Sequence, residues 1–239
     1  MNNFEEAYKF IKSGPGKRKL LNSFVGNNFE TQERPVFLYT AGAPGAGKTE
    51  FSRNLIKGVN VDGDLRGMVV IDADEIRKIF VDFGYNGKNS DEYRRAVNKG
   101  VEILFDNCLK YKYNALCDST FASQKASEKN IIRNLKIDAK IMIVYVYQDP
   151  VLSWYFTKNR EKKEGRKIER DFFLDSYFNS IENIKLIQNK YKDQVDVFFV
   201  KKDLKNNIEK IIVITKDDID KYIEKKYSYK ELKTIIYEN

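Results

Sequence analysis

The feature that most constrains this chain is a glycine loop set between an apolar strand and a helix. Gly42-Ala43-Pro44-Gly45-Ala46-Gly47-Lys48-Thr49 follows the run Pro35-Val36-Phe37-Leu38-Tyr39-Thr40 and precedes a predicted helix from Lys48 to Lys57. The pattern G-x-x-x-x-G-K-[ST] is met in full by Gly42, Gly47, Lys48 and Thr49. Glycines let the backbone turn at positive φ and bring its N–H groups close to phosphate oxygens. The helix N-terminus adds a partial positive charge beneath them. Lys48 supplies a point charge for the β- and γ-phosphates, and the Thr49 hydroxyl can ligate magnesium. The segment Gly42 to Glu50 is therefore predicted to bind a nucleoside triphosphate, ATP with Mg2+.

Around the loop, apolar runs alternate with helical stretches. Further strands are predicted at 67–71, 114–118, 139–147, 195–200 and 208–214, and helices at 4–12, 74–82, 91–110, 124–135, 150–163, 170–191 and 217–236. Such alternation gives a mostly parallel sheet with helices on both faces, a three-layer α/β sandwich of the P-loop type. Residues 1–34 are expected to form a helical extension, broken at Ser13-Gly14-Pro15-Gly16. Residues 35–200 form the nucleotide-binding unit, with a lid near 154–172, and 201–239 a strand-and-helix appendage packed on it.

Composition narrows the chemistry. The 239 residues carry 43 Lys+Arg against 35 Asp+Glu, a net charge of +8 that favours anionic partners. There is no His, which removes the commonest general base and leaves acid–base work to Asp, Glu, Lys or Tyr. Two Cys, Cys108 and Cys117, sit in apolar surroundings and read as core residues of a cytoplasmic protein. No run approaches the ~20 apolar residues of a membrane span. Met1 to Glu6 carries acid and no apolar run, so no secretory leader is expected there.

What happens to the triphosphate depends on the other strand ends. Guanine-switch signatures have only displaced echoes here, Asp64-Leu65-Arg66-Gly67 and Thr215-Lys216-Asp217-Asp218, and no strand ends in the Asp-Glu of a motor ATPase. The second strand instead runs into Asp72-Ala73-Asp74, about 25 residues past Lys48. Strand ends of an open parallel sheet share one crevice, so Asp74 can face the γ-phosphate and take a proton from an acceptor hydroxyl. Asp72 can approach the acceptor or cap the following helix, and Arg77 lies on that helix. Asp118-Ser119-Thr120 ends the third strand, with Asp118 suited to magnesium and Thr120 to phosphate or substrate. Arg160 and Arg166, flanking Gly165, can neutralise charge on the transferred group from a lid, with Arg170 as the alternate.

With these pieces in order, the stretch from Arg34 to Ile187 resembles the zeta toxin family of P-loop kinases. The resemblance implies that Lys48 and Thr49 hold the phosphates, Asp74 is the base and Thr120 contacts substrate. Glu102 matches a substrate-contacting Glu, Arg160 the first lid arginine, and Arg166 or Arg170 the second. Asp118 stands where the family has the Glu of a Glu-Gly-Thr triplet. The resemblance further implies a UDP-amino sugar, UDP-N-acetylglucosamine, as acceptor and an antitoxin protein as partner. The chain departs from the family pattern at Phe80-Val81-Asp82 and at Asp118-Ser119-Thr120-Phe121-Ala122, both on the acceptor side. Two other readings stay open: a kinase of nucleic-acid 5′-hydroxyls, suggested by the +8 charge, and an ATP-responsive binding module with no transfer.

Overall fold

Six segments extend, five of them rich in β-branched or aromatic residues and one, Ala115-Leu116-Cys117-Asp118, held by pairing on both sides. They are β1 Val36–Ala41, β2 Val69–Asp72, β3 Ala115–Asp118, β4 Lys140–Tyr147, β5 Val195–Lys202 and β6 Ile208–Val213. A computed structural model describes residues 2–26, 29–62, 67–205 and 207–238, so the echo at Asp64–Arg66 lies outside the described residues. The strands form one sheet in the order β2-β3-β1-β4-β5-β6. The first five are mutually parallel, and β6 pairs antiparallel with β5. The strand order reverses beside β1, which opens a crevice at the carboxyl ends of β1, β2 and β3.

The two faces are covered unequally. Helix α3, Lys48–Asp62, lies over a small apolar cluster of Leu38, Leu116, Val144, Val146 and Val200, with Phe51 from the helix itself. The larger core fills the opposite face. There α4 (Ala73–Arg77), α5 (Arg94–Tyr111), α6 (Gln124–Leu135), α7 (Pro150–Glu164) and α8 (Arg170–Tyr191) pack with their apolar stripes inward. On α5 the buried set Val97, Gly100, Leu104, Phe105 and Cys108 repeats at helical spacing. Both cysteines are free and buried, and burial pushes the Cys108 thiol up to about 12.

Three segments differ from the sequence expectation. Helix α1, Asn3–Lys12, is followed at once by α2, Gly14–Phe24. Gly14-Pro15 reads as a break, but Ser13 caps α2 through the Gly16 amide and Pro15 falls in the first turn, where its missing N–H costs nothing. The helix expected at 74–82 is α4 followed by a 3-10 turn, Lys78–Phe83. The helix expected at 217–236 is a 3-10 turn, Ile219–Lys221, and a separate α9, Tyr229–Glu238. The restart has a local cause. Ser228 accepts from the Glu231 amide while the Glu231 carboxylate accepts from the Ser228 amide, a reciprocal helix-starting box. Among the described residues no helix is long and apolar enough to cross a membrane.

Candidate active site

The phosphate loop is shaped by close backbone contacts. A Cβ at Gly42 would stand 2.4 Å from the Val146 carbonyl oxygen, and one at Gly45 would stand 2.2 Å from that of Ser153. Both glycines have positive φ, 127° and 78°, so only glycine meets both demands. The Gly42 amide donates to the Thr120 carbonyl (3.1 Å), tying the loop to the end of β3. The Lys48 ammonium donates to the carbonyls of Gly42 (3.0 Å) and Ala43 (2.7 Å). Burial lowers its pKa to about 8, Asp118 opposes that shift, and Arg160 adds to it.

Asp118 is fixed by two hydroxyls. Thr40, wholly buried near the end of β1, donates to Oδ1 at 2.8 Å, and Thr49 donates to Oδ2 at 3.0 Å. Thr49 and Asp118 thus offer one hydroxyl and one carboxylate side by side. That donor set fits Mg2+, which takes one or two protein oxygens and fills its octahedron with phosphate oxygens and water. Thr40 escaped the sequence reading. Its only signal was a hydroxyl at a buried position of an otherwise apolar strand.

Asp72 pairs in register with Asp118 across β2 and β3. It caps α4, accepting from the Asp74 amide at 2.7 Å. Burial first, then the nearby carboxylates of Asp118, Asp74 and Glu75, push its pKa up to about 6. This cap turns the chain so that Asp74 stands on the first turn of the helix.

Three arginines converge on Asp74. Arg77, one turn along α4, donates to Oδ1. Arg160 (3.2 Å) and Arg166 both donate to Oδ2 from positions 86 and 92 residues away. Arg160 comes from α7, which starts on a capping Asp149, passes Ser153 beneath Gly45 and ends at Gly165 in the left-handed region. Arg166 follows in the link to α8. Arg160 and Arg166 also act electrostatically on Lys48, so one pair of guanidinium groups reaches both the carboxylate and the phosphate loop.

Two expected residues lie elsewhere. Arg170 has its guanidinium over the Tyr237 ring, 5.1 Å from the centroid, so Arg166 and not Arg170 is the arginine on Asp74. Glu102 pairs with Lys99 at 2.6 Å, in a groove also lined by Tyr8, Arg95, Lys129 and Arg133. Its helical phase on α5 turns it toward α1 and α6. Thr120 contributes its carbonyl, and Glu50 is exposed on the first turn of α3.

The sequence profile of the zeta toxin family matches residues 23–223. No curated protein sequence matches the chain. Among solved structures the fold is similar to one from the PezAT chromosomal toxin–antitoxin system of the human pathogen Streptococcus pneumoniae. The TM-score there is 0.67 at 18% identity, over 99% of this chain and 93% of that one. A chain of the Pnkp1/Rnl/Hen1 RNA repair complex aligns with TM-score 0.52 and 21% identity, over 67% of this chain and 48% of that one. AvrRxo1-ORF1:-ORF2 with ATP aligns with TM-score 0.56 and 9% identity, over 89% of this chain and 63% of that one.

Proposed function

The chain belongs to the zeta toxin family, and we propose that it transfers the γ-phosphoryl group of magnesium-bound ATP to a hydroxyl of a UDP-amino sugar. The observation that carries this reading is the meeting of Arg77, Arg160 and Arg166 on the Asp74 carboxylate, opposite a loop shaped for triphosphate. Lys48 and the loop amides hold the β- and γ-phosphates. Thr49 and Asp118 would hold magnesium, which would supply charge neutralisation to the phosphates.

At rest the Asp74 oxygens accept from Arg77, Arg160 and Arg166, so an acceptor hydroxyl must take the place of some of these donors. A γ-phosphoryl group offers more charge and three equatorial oxygens, so it outcompetes the carboxylate for Arg160 and Arg166. Their transfer neutralises the reacting group and frees Asp74 in one motion. The acceptor hydroxyl then gives its proton to Asp74, its oxygen bonds to the γ-phosphorus, the bond to the bridging oxygen breaks, and ADP leaves. Arg77 stays beside Asp74 and, with Asp72, faces the acceptor.

Incubation with ATP, Mg2+ and UDP-N-acetylglucosamine, followed by mass spectrometry, is expected to show the sugar nucleotide gaining one phosphate, and Asp74→Asn to stop this. Unaltered sugar nucleotide with wild-type protein removes this acceptor. The PezAT likeness supports an antitoxin as protein partner. The +8 charge favours a second acceptor, a nucleic-acid 5′-hydroxyl. In that case oligonucleotide labelling falls steeply with salt, and no labelling at low salt sinks it. ATP bound with no phosphorylated product from any extract marks the chain as a nucleotide-responsive binding module.

A further inference from the structure

Lys202 is the last residue of β5 and only 6% exposed. The stem of the side chain is buried while its ammonium keeps access to solvent at the end of the strand. Lys202 makes no hydrogen bond or ion pair with any described residue. Glu50 and Asp203 act on it only through space, and burial lowers its pKa. Of the surrounding polar groups, Lys201 and Asp203 are already engaged, and the exposed Glu50 carboxylate acts on Lys202 without a hydrogen bond. Lys201 pairs with Glu209 and Glu224, and Asp203 accepts from the amides of Lys205 and Asn207. The Asp203 carbonyl also accepts from Gln148 at 2.6 Å, which fastens the end of β5 to the end of β4.

The location gives this amine a use. Gly42 abuts Val146 on β4, and Val146 pairs in register with Val200, two residues before Lys202. Glu50, the residue after Thr49, acts on both Lys48 and Lys202. A γ-phosphoryl group lies toward Asp74 and its arginines, on the β2 side. The sheet places β2 and β5 on opposite sides of β1, which on the triphosphate reading leaves the β4 and β5 side for the nucleoside.

We propose that Lys202 reads the nucleobase, its ammonium donating to ring-nitrogen or carbonyl acceptors of the bound purine. This rests on the triphosphate reading above and extends it to the nucleoside end. Lysine carries three donors and no acceptor, so it accepts guanine as well as adenine.

Titration calorimetry with ATP, GTP, ribose 5-triphosphate and tripolyphosphate tests this on the full-length wild type, Lys202→Met and Lys202→Gln. The Met variant is expected to bind ATP and GTP at least about tenfold more weakly and both base-free ligands within about twofold. The Gln variant keeps a donor and is expected to lose less than about threefold. Unchanged ATP affinity in the Met variant overturns the proposal. So does an equal loss of tripolyphosphate affinity, which makes Lys202 a phosphate contact. Should the Met variant not fold, wild-type binding decides: ATP no tighter than ribose 5-triphosphate overturns the proposal, and ATP about tenfold tighter supports it. A wild type that binds no tripolyphosphate defeats the triphosphate reading itself, and this one with it.

Discussion

The two halves of the crevice are built by different physics. On the donor side, Gly42 to Thr49 is one continuous stretch, held by backbone carbonyls, tight van der Waals contacts and two threonine hydroxyls. On the acceptor side, Asp74 is held almost wholly by charge, and two of its three partners arrive from a helix and a link more than 80 residues away. The first half is held by short-range contacts, and the rearrangement it needs is small: Lys48 must exchange the Gly42 and Ala43 carbonyls for phosphate oxygens. The second half is committed to itself, and the proposed reaction requires its ion pairs to be exchanged for others. On that reading, a donor site built of local contacts faces an acceptor site whose long-range contacts must break.

That contrast can be broken from either side. Replacing Arg160 and Arg166 together by Ala is expected to reduce kcat roughly 10³–10⁵-fold, while ATP affinity measured by calorimetry stays within about tenfold. Should affinity collapse as far as kcat, the arginines belong to the donor half. Asp74→Asn is expected to reduce single-turnover transfer roughly 10²–10⁴-fold with ATP binding intact; transfer at the wild-type rate removes Asp74 as base. Gly45→Ala must displace the Ser153 carbonyl or the loop, and is expected to weaken triphosphate binding roughly 10–100-fold. Wild-type affinity in that variant shows the loop to be pliable.

A finer test uses pH. Lys48 titrates near 8 because it is buried, and a bound triphosphate raises that value by favouring the ammonium. ATP binding then takes up a proton above pH 8. Affinity is full below pH 8 and falls as pH rises beyond it, by up to about tenfold per unit. A flat profile between pH 7 and 9.5 contradicts the role of Lys48. The smallest effect concerns Asp72. Its carboxyl is raised to about 6, above its unfolded value, so ionising it costs the fold stability at pH 7, and that cost vanishes as pH falls toward 4. Asp72→Asn keeps the cap and is expected to raise Tm by about 2–4 °C at pH 7, with no gain at pH 4. A loss of Tm at pH 7 shows the charge itself to be needed there.

The same division decides what the sequence revealed. The donor half was legible because its elements are contiguous: strand, glycines, lysine and hydroxyl lie within fifteen residues of one another. The carboxylates Asp74 and Asp118 were legible because strand ends in a parallel sheet converge. Which arginine meets Asp74 was not legible, since Arg166 in the link and Arg170 at the start of α8 are only four residues apart, and packing over Tyr237 takes Arg170 away. Thr40 was hidden because its partner, Asp118, is 78 residues distant. Glu102 shows the opposite limit. Similarity of spacing places it near the acceptor, but the phase of α5 turns its carboxylate to Lys99.

Helix α7 has a mechanical consequence. It is pinned at Asp149 on the end of β4, presses against Gly45 through Ser153 and carries Arg160 to Asp74. At ~1.5 Å of rise per residue, Arg160 stands roughly 15 Å beyond the pin. A tilt of roughly 5° at the pin sweeps the guanidinium through more than ~1 Å, enough to part it from a hydrogen-bond partner. The phosphate loop touches this helix close to its fulcrum and the carboxylate touches it near the tip. The helix therefore has the geometry of a lever with Gly45 on its short arm and Asp74 on its long one, so a few tenths of an ångström at the loop would correspond to about 1 Å at Arg160.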